Sequence, residues 1–204
     1  DRVSGAFARV TCDYLGIILS LVPVFVAATV VLRGKRAHSQ LVIHTKRISS
    51  FKLQGTRFLA TTLLILLPVL VFSLLPAVQS IYVAQNYHQT GDLLLFYQYI
   101  IGWTVPTIVA VVGISFLITT ILNGVLFQLG FWLLSILSGG RQLVGVFGLS
   151  LMPRFNKVGS RELFETIFSE LVINRAFWFL LGIVCFFLSC IVFDLKRKGR
   201  VSHG

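Results

Sequence analysis

From Leu93 to Gly140 the chain runs for 48 residues without an Asp, Glu, Lys or Arg. One helical crossing of a hydrocarbon layer takes about 20 apolar residues, so this stretch is too long for one crossing and long enough for two. Asn123-Gly124, a turn-type pair, is the natural break and separates Trp103–Leu122 from Val125–Ser138. The part before them, Leu93–Gly102 with Phe96, Tyr97 and Tyr99, reads as an aromatic approach along the membrane interface.

Three further stretches meet the same requirement. Tyr14–Leu32 is free of charge between Asp13 and Arg33. Phe58–Gln79 follows Arg57 and carries Pro68 and Pro76, which a membrane helix tolerates where neighbours satisfy the freed carbonyls. Phe177–Phe193 is closed by Asp194 and the basic run Lys196-Arg197-Lys198-Gly199-Arg200. The expected fold is therefore all-α and polytopic, with five transmembrane helices. An apolar share of 56 % excludes an ordinary soluble enzyme. A signal-peptide reading of Tyr14–Leu32 fails, since basic residues follow it and no cleavage site does.

Charge gives the direction. Of 18 Lys and Arg, seven lie in 33–57 and four in the tail after Phe193, whereas the 76–102 connection has none. The positive-inside rule puts 33–57 and the C-terminus in the cytosol and the start of the chain outside. The net charge of +11 is thus a mark of orientation, and nucleic acid is not an expected partner, because the basic residues flank spans instead of forming one face. Segment 139–176 is expected outside although it carries a net +2. Within it, apolar pairs at 163/164, 167/168 and 171/172 make one helical face, with Glu162, Glu165 and Glu170 away from it and Ser160 placed to cap the start. It reads as short re-entrant or interfacial helices before the last span, or as an ordinary amphipathic connector.

No catalytic constellation is present in the sequence. There is no phosphate-binding G-x-x-x-x-G-K-[ST] loop, and His38, His44, His88 and His203 lack metal-site spacing. Cys12, Cys185 and Cys190 read as small apolar residues. The five spans contain no ionisable residue, which disfavours proton- or sodium-coupled carriage. Segment 33–57 sets Leu41, Ile43, Ile48, Phe51 and Leu53 among its charges. That pattern suits a basic face on anionic lipid or, more sharply, a short helix docking in a partner's groove.

Thr45-Lys-Arg-Ile-Ser-Ser-Phe, then Gln54-Gly-Thr-Arg-Phe-Leu-Ala entering the next span, resembles the stretch between the second and third helices of type-2 ATP-binding-cassette (ABC) exporter permeases. Ile43-His44 with Arg47-Ile-Ser-Ser-Phe is similar to the coupling-helix region of the eukaryotic G-subfamily half-transporters. Leu151-Met-Pro153, then Leu171-Val-Ile-Asn174-Arg175, an apolar span and a basic tail, resembles the last third of the same permeases. One departure is Arg33-Gly34, where members often carry a Glu.

The resemblance implies a single transmembrane permease domain over 1–204, its five spans being the second to the sixth of a six-helix permease whose first helix is missing here. It implies a multi-pass protein of the bacterial plasma membrane, and a cytosolic coupling segment 33–57 in which His38, Gln40, Ile43, His44, Lys46, Arg47, Ser49 and Phe51 meet the partner. Partners would be ABC ATPase subunits, a second permease copy or close homologue, and membrane lipid. ATP and Mg would sit on the ATPase, with no cofactor on this chain. Thr104, Thr107, Ser115, Thr119 and Thr120 would offer uncharged polar groups to an amphipathic or hydrophobic substrate, although such hydroxyls also suit hydrogen bonds within and between helices. The alternative is a membrane scaffold or sensor, without transport, whose basic loop binds lipid or a signalling partner.

Overall fold

A computed structural model describes residues 3–36, 49–122, 150–151 and 161–198. Every regular element among them is a helix: α1 (Val3–Arg36), α2 (Ser50–Phe72), α3 (Leu74–Asn86), α4 (Leu93–Leu122) and α5 (Arg161–Arg197). Four helices are long and apolar enough to cross a membrane, Val3–Leu32, Ser50–Asn86 (α2 with α3), Leu93–Leu122 and Arg161–Arg197. The expected span Val125–Ser138 lies outside the described residues.

Local chemistry explains the boundaries. Pro76 has no N–H to give to the carbonyl of Phe72, four residues back, and the break between α2 and α3 falls at Ser73. The ladder around it survives, with Ser73 N–H donating to Val69 at 3.0 Å and Ala77 N–H to Ser73 at 3.1 Å, so the rod continues. α3 ends in an exposed turn where His88 takes φ 55°, and the amides of His88 and Gln89 bond back to Gln85 and Ala84. Asp92 then caps α4, its Oδ1 accepting from the amides of Leu94 at 3.0 Å and Leu95 at 3.2 Å.

Three expectations change. Leu93–Gly102 is not a segment apart from the span but the first third of α4, because nothing between Leu93 and Pro106 interrupts the backbone ladder and Phe96 and Ile100 are buried. The 161–176 stretch is not a separate short helix, since no Gly or Pro intervenes before Gly182 and the amphipathic face runs unbroken into the apolar one. Helices α1 and α5 also run past the expected spans Tyr14–Leu32 and Phe177–Phe193, which brings in two buried arginines, Arg9 and Arg175.

Contacts at the two ends fix the topology. Asp92 N–H donates to Ser4 Oγ at 2.8 Å, and Tyr99 packs on Phe164 at 5.8 Å, so α1, α4 and α5 all begin at one end. At the other end Ser50 Oγ donates to Asp194 Oδ1 at 2.8 Å and Lys196 Nζ to the carbonyl of Ile121 at 3.1 Å. The α2–α3 rod therefore runs antiparallel to the other three, and Leu122 and Arg161 lie at opposite ends of the bundle.

α4 is the central helix. Ile108, Val109, Ala110, Val111, Val112 and Gly113 are buried in succession, which a helix achieves only when covered all round. α5 crosses it at Gly113 and Gly182, backbone on backbone. A Cβ on Gly182 would stand 2.5 Å from the carbonyl oxygen of Val109 and 2.7 Å from the Cα of Ala110, and one on Gly113 would strike the Gly182 carbonyl. Small residues at such a crossing let membrane helices gain dispersion contact where no hydrophobic force joins them. The outward faces are apolar: Leu63, Leu67, Val71, Leu75 and Val78 on the α2–α3 rod and Ile173, Leu180, Val184, Leu188 and Ile191 on α5 are all exposed. Exposed rows of this length belong against hydrocarbon, not water.

Candidate functional site

Of the eight residues expected to meet an ATPase, His38, Gln40, Ile43, His44, Lys46 and Arg47 lie outside the described residues. Ser49 and Phe51 are described, and they sit at the foot of α2. Ser49 is exposed with extended backbone, φ −58° and ψ 134°, and its carbonyl accepts from the amide of Leu53 at 3.1 Å. Phe51 is half exposed, stacked on Phe187 at 5.6 Å and tilted against Phe186 at 5.8 Å. Phe186 continues inward to Phe58 at 4.5 Å, and Phe58 meets the edge of Phe116 at 5.8 Å.

The aromatic ladder thus joins the foot of α2 to α5 and α4. Beside it, Asp194 accepts from Ser50 and pairs with Lys198 at 2.5 Å, while Lys196 reaches the last turn of α4. Gln54, one turn above Ser50, is fully buried, and neither of its amide atoms finds a hydrogen-bond partner among the described residues. The foot of α2 is therefore fastened to α5 through Ser50 and Phe51, and to α4 through Phe58.

The five candidate path hydroxyls are all buried on α4. Thr104 donates to the carbonyl of Ile100 at 2.7 Å and Thr107 to that of Trp103 at 3.0 Å. Thr120 and Ser189 share a hydrogen bond of 3.1 Å across the α4–α5 interface. Ser115 and Thr119 are as buried as these three. The hydrogen bonds of Thr104, Thr107 and Thr120 run within or between helices, and none of the five lines the groove described below.

The polar centre of the bundle is Arg175. Its Nη1 donates to Thr107 Oγ1 at 3.0 Å, its Nε and Nη2 to Asn174 Oδ1 at 3.1 and 2.6 Å, and its Nη2 also to the carbonyls of Leu151 at 3.1 Å and Ser150 at 3.3 Å. Asn174 Nδ2 and Trp178 Nε1 add donors to the Ser150 carbonyl at 3.0 and 3.2 Å. Three side chains of α5 thereby hold residues 150–151 against the bundle, with Leu151 buried among Val24, Ala110, Val111 and Trp178. The guanidinium stands 5.4 Å over the ring of Trp103. Nearer the Asp92 end, Arg9 lies 4.5 Å over the ring of Phe164.

Next to this centre a groove of about 560 Å³ opens between α4 and α5. Its α4 wall is Leu95, Gln98, Tyr99, Gly102, Trp103 and Pro106, and its α5 wall is Phe168, Leu171, Val172, Arg175, Ala176 and Phe179. Each set follows the spacing of one helical face. The volume is that of a small-molecule site, apolar with a few polar groups.

Arg175 carries a signal that the sequence reading passed over. The apolar pairs at 163/164, 167/168 and 171/172 extend with the same period to Asn174, Arg175 and Trp178, so Arg175 belongs to the buried stripe and not to a solvated connection. Among the described residues no group of His, Cys, Asp and Glu side chains is arranged to hold a metal ion. The three cysteines are free and buried, as small apolar side chains.

The chain matches no family model, no curated protein and no solved structure. The fold and site define its class: among the described residues, an all-helical bundle with four helices long and apolar enough to cross a membrane and a hydrogen-bonded arginine inside it.

Proposed function

We propose that the chain is the membrane-spanning permease subunit of an ATP-driven ABC exporter that moves an amphipathic or hydrophobic substrate by alternating access. The observation that carries this reading is the fastening at the foot of α2, where Ser50 bonds Asp194 and Phe51 stacks on Phe187. Force delivered to 33–57 by a separate ATPase enters α2 and α5 together. The Gly113–Gly182 crossing passes it to α4, and close-packed helices move as rods instead of deforming. ATP and Mg belong to the ATPase chain in this reading, and a second permease copy or close homologue completes the path.

Five crossings complete the proposed topology, the fifth lying between Leu122 and Arg161. Its support is that these two residues stand at opposite ends of the bundle, and the 38 residues between them give ample length for one return crossing. The proposed site of action is the plasma membrane of a bacterium, with the Asp194 end and the C-terminus in the cytosol, on the side of 11 of the 18 basic residues.

The test is a triple substitution in the full chain. An ATPase subunit should copurify with the unaltered protein and be lost when Ile43, Arg47 and Phe51 are changed together to Ala. An ATPase still bound to the triple variant would remove the coupling assignment.

A further inference from the structure

Gly102, on the α4 wall of the groove, faces open space: a Cβ built there meets no atom within 4 Å. Gly102 and Ala176 are both exposed, so the groove opens sideways at their level, onto the lipid around a membrane helix. Trp103 and Phe179 supply apolar walls, and Arg175 is set between them.

The guanidinium is ionised at any ordinary pH, yet every acceptor it reaches among the described residues is a neutral oxygen: a hydroxyl, an amide and two backbone carbonyls. Of its five N–H donors, one on Nη1 has no acceptor among the described residues. Arg175 precedes Asp194 by 19 residues of continuous helix, about 28 Å of rise. That is close to the thickness of the hydrocarbon layer, so with Asp194 at one surface Arg175 stands near the headgroups of the other.

An apolar groove beside an unneutralised cation at headgroup depth has the chemistry of one ligand class. We propose that the groove binds an anionic phospholipid, one acyl chain lying past Gly102 and Ala176 and the phosphate meeting Arg175 with Gln98 at the rim. This goes beyond the transport reading, since lipid binding requires no ATPase and either can fail without the other.

The full chain in lipid nanodiscs, titrated with dibrominated phosphatidylglycerol or dibrominated phosphatidylcholine, tests it through bromine quenching of tryptophan. The groove signal is the difference between the unaltered protein and its Trp103→Phe variant. Half-quenching of that signal should need about five-fold less of the anionic lipid than of the zwitterionic one. Gly102→Leu, which fills the groove without striking the fold, should remove most of the quenching by either lipid. Arg175→Gln should abolish the preference, and Arg175→Lys, which keeps the charge, should retain part of it. Equal quenching by the two lipids in the unaltered chain overturns the proposal. So does a Gly102→Leu variant quenched as before, and this arm decides the matter if Arg175→Gln does not fold.

Discussion

Replacing Gly182 by Leu is expected to break the bundle. At this crossing an added side chain meets backbone, not a movable side chain: the Val109 carbonyl at 2.5 Å and the Ala110 amide nitrogen and Cα at 2.7 Å. No rotamer of α4 relieves such contacts, so α5 must separate from its most extensive partner. Overpacking a core costs about 1–3 kcal/mol when side chains can adjust, and a backbone collision belongs at or above the upper end of that range. The thermal midpoint of the purified protein should fall by roughly 10 °C. Gly182→Ala should show a smaller loss in the same direction. Gly102→Leu, on the same pair of helices but facing open space, should stay within about 0.5 kcal/mol of the parent. Equal midpoints for Gly182→Leu and the parent would mean that α4 and α5 do not cross backbone on backbone.

The second large effect is expected at Arg175. Changing it to Met keeps apolar bulk but takes the Arg175 donor from the Leu151 carbonyl, the Thr107 hydroxyl and the Ser150 carbonyl, and two donors from Asn174 Oδ1. A buried acceptor left dry costs about 1–3 kcal/mol, partly offset because the charge no longer has to be buried. The net loss should be roughly 3 kcal/mol, and it should appear where the donors acted. A cysteine placed at Leu151, now buried, should react with a thiol reagent several times faster once Arg175 is Met. Arg175→Lys should fall between the two, because a compact ammonium cannot span Thr107, Asn174 and the 150–151 carbonyls as the planar guanidinium does. Parent-like stability and unchanged labelling in Arg175→Met would show that the centre does not hold 150–151.

Most of the helical architecture is legible in the sequence because charge-free length and apolar period are local properties. The helix limits are not legible in the same way. Leu93–Gly102 and 161–176 contain enough polar and aromatic residues to suggest an interface, and only tertiary burial of Phe96, Ile100 and Leu171 shows that they extend the crossing helices. Arg175 is the instructive case. Its charge suggests a solvated connection, whereas its position on the buried stripe, between Leu171 and Trp178, places it inside the bundle. Apart from the neighbouring Asn174, its acceptors come from residues 24, 25 and 68 positions away, a distance that no window along the sequence covers. The foot of α2 divides in the same manner. Phe51 stands out as an apolar residue in a basic segment, but its stacking on Phe187 depends on the fold.

The transport account rests on energy entering at that foot, so ATP hydrolysis by the assembly purified in mild detergent from its native membranes is its most direct test. Vanadate-sensitive hydrolysis should accompany the full chain, and amphiphilic compounds should stimulate it. Ser50→Ala combined with Phe187→Ala, which removes the Asp194 bond and the stack beneath Phe51, should leave the basal rate and abolish the stimulation. A preparation with no nucleotide hydrolysis, or a double variant stimulated like the parent, would contradict the account.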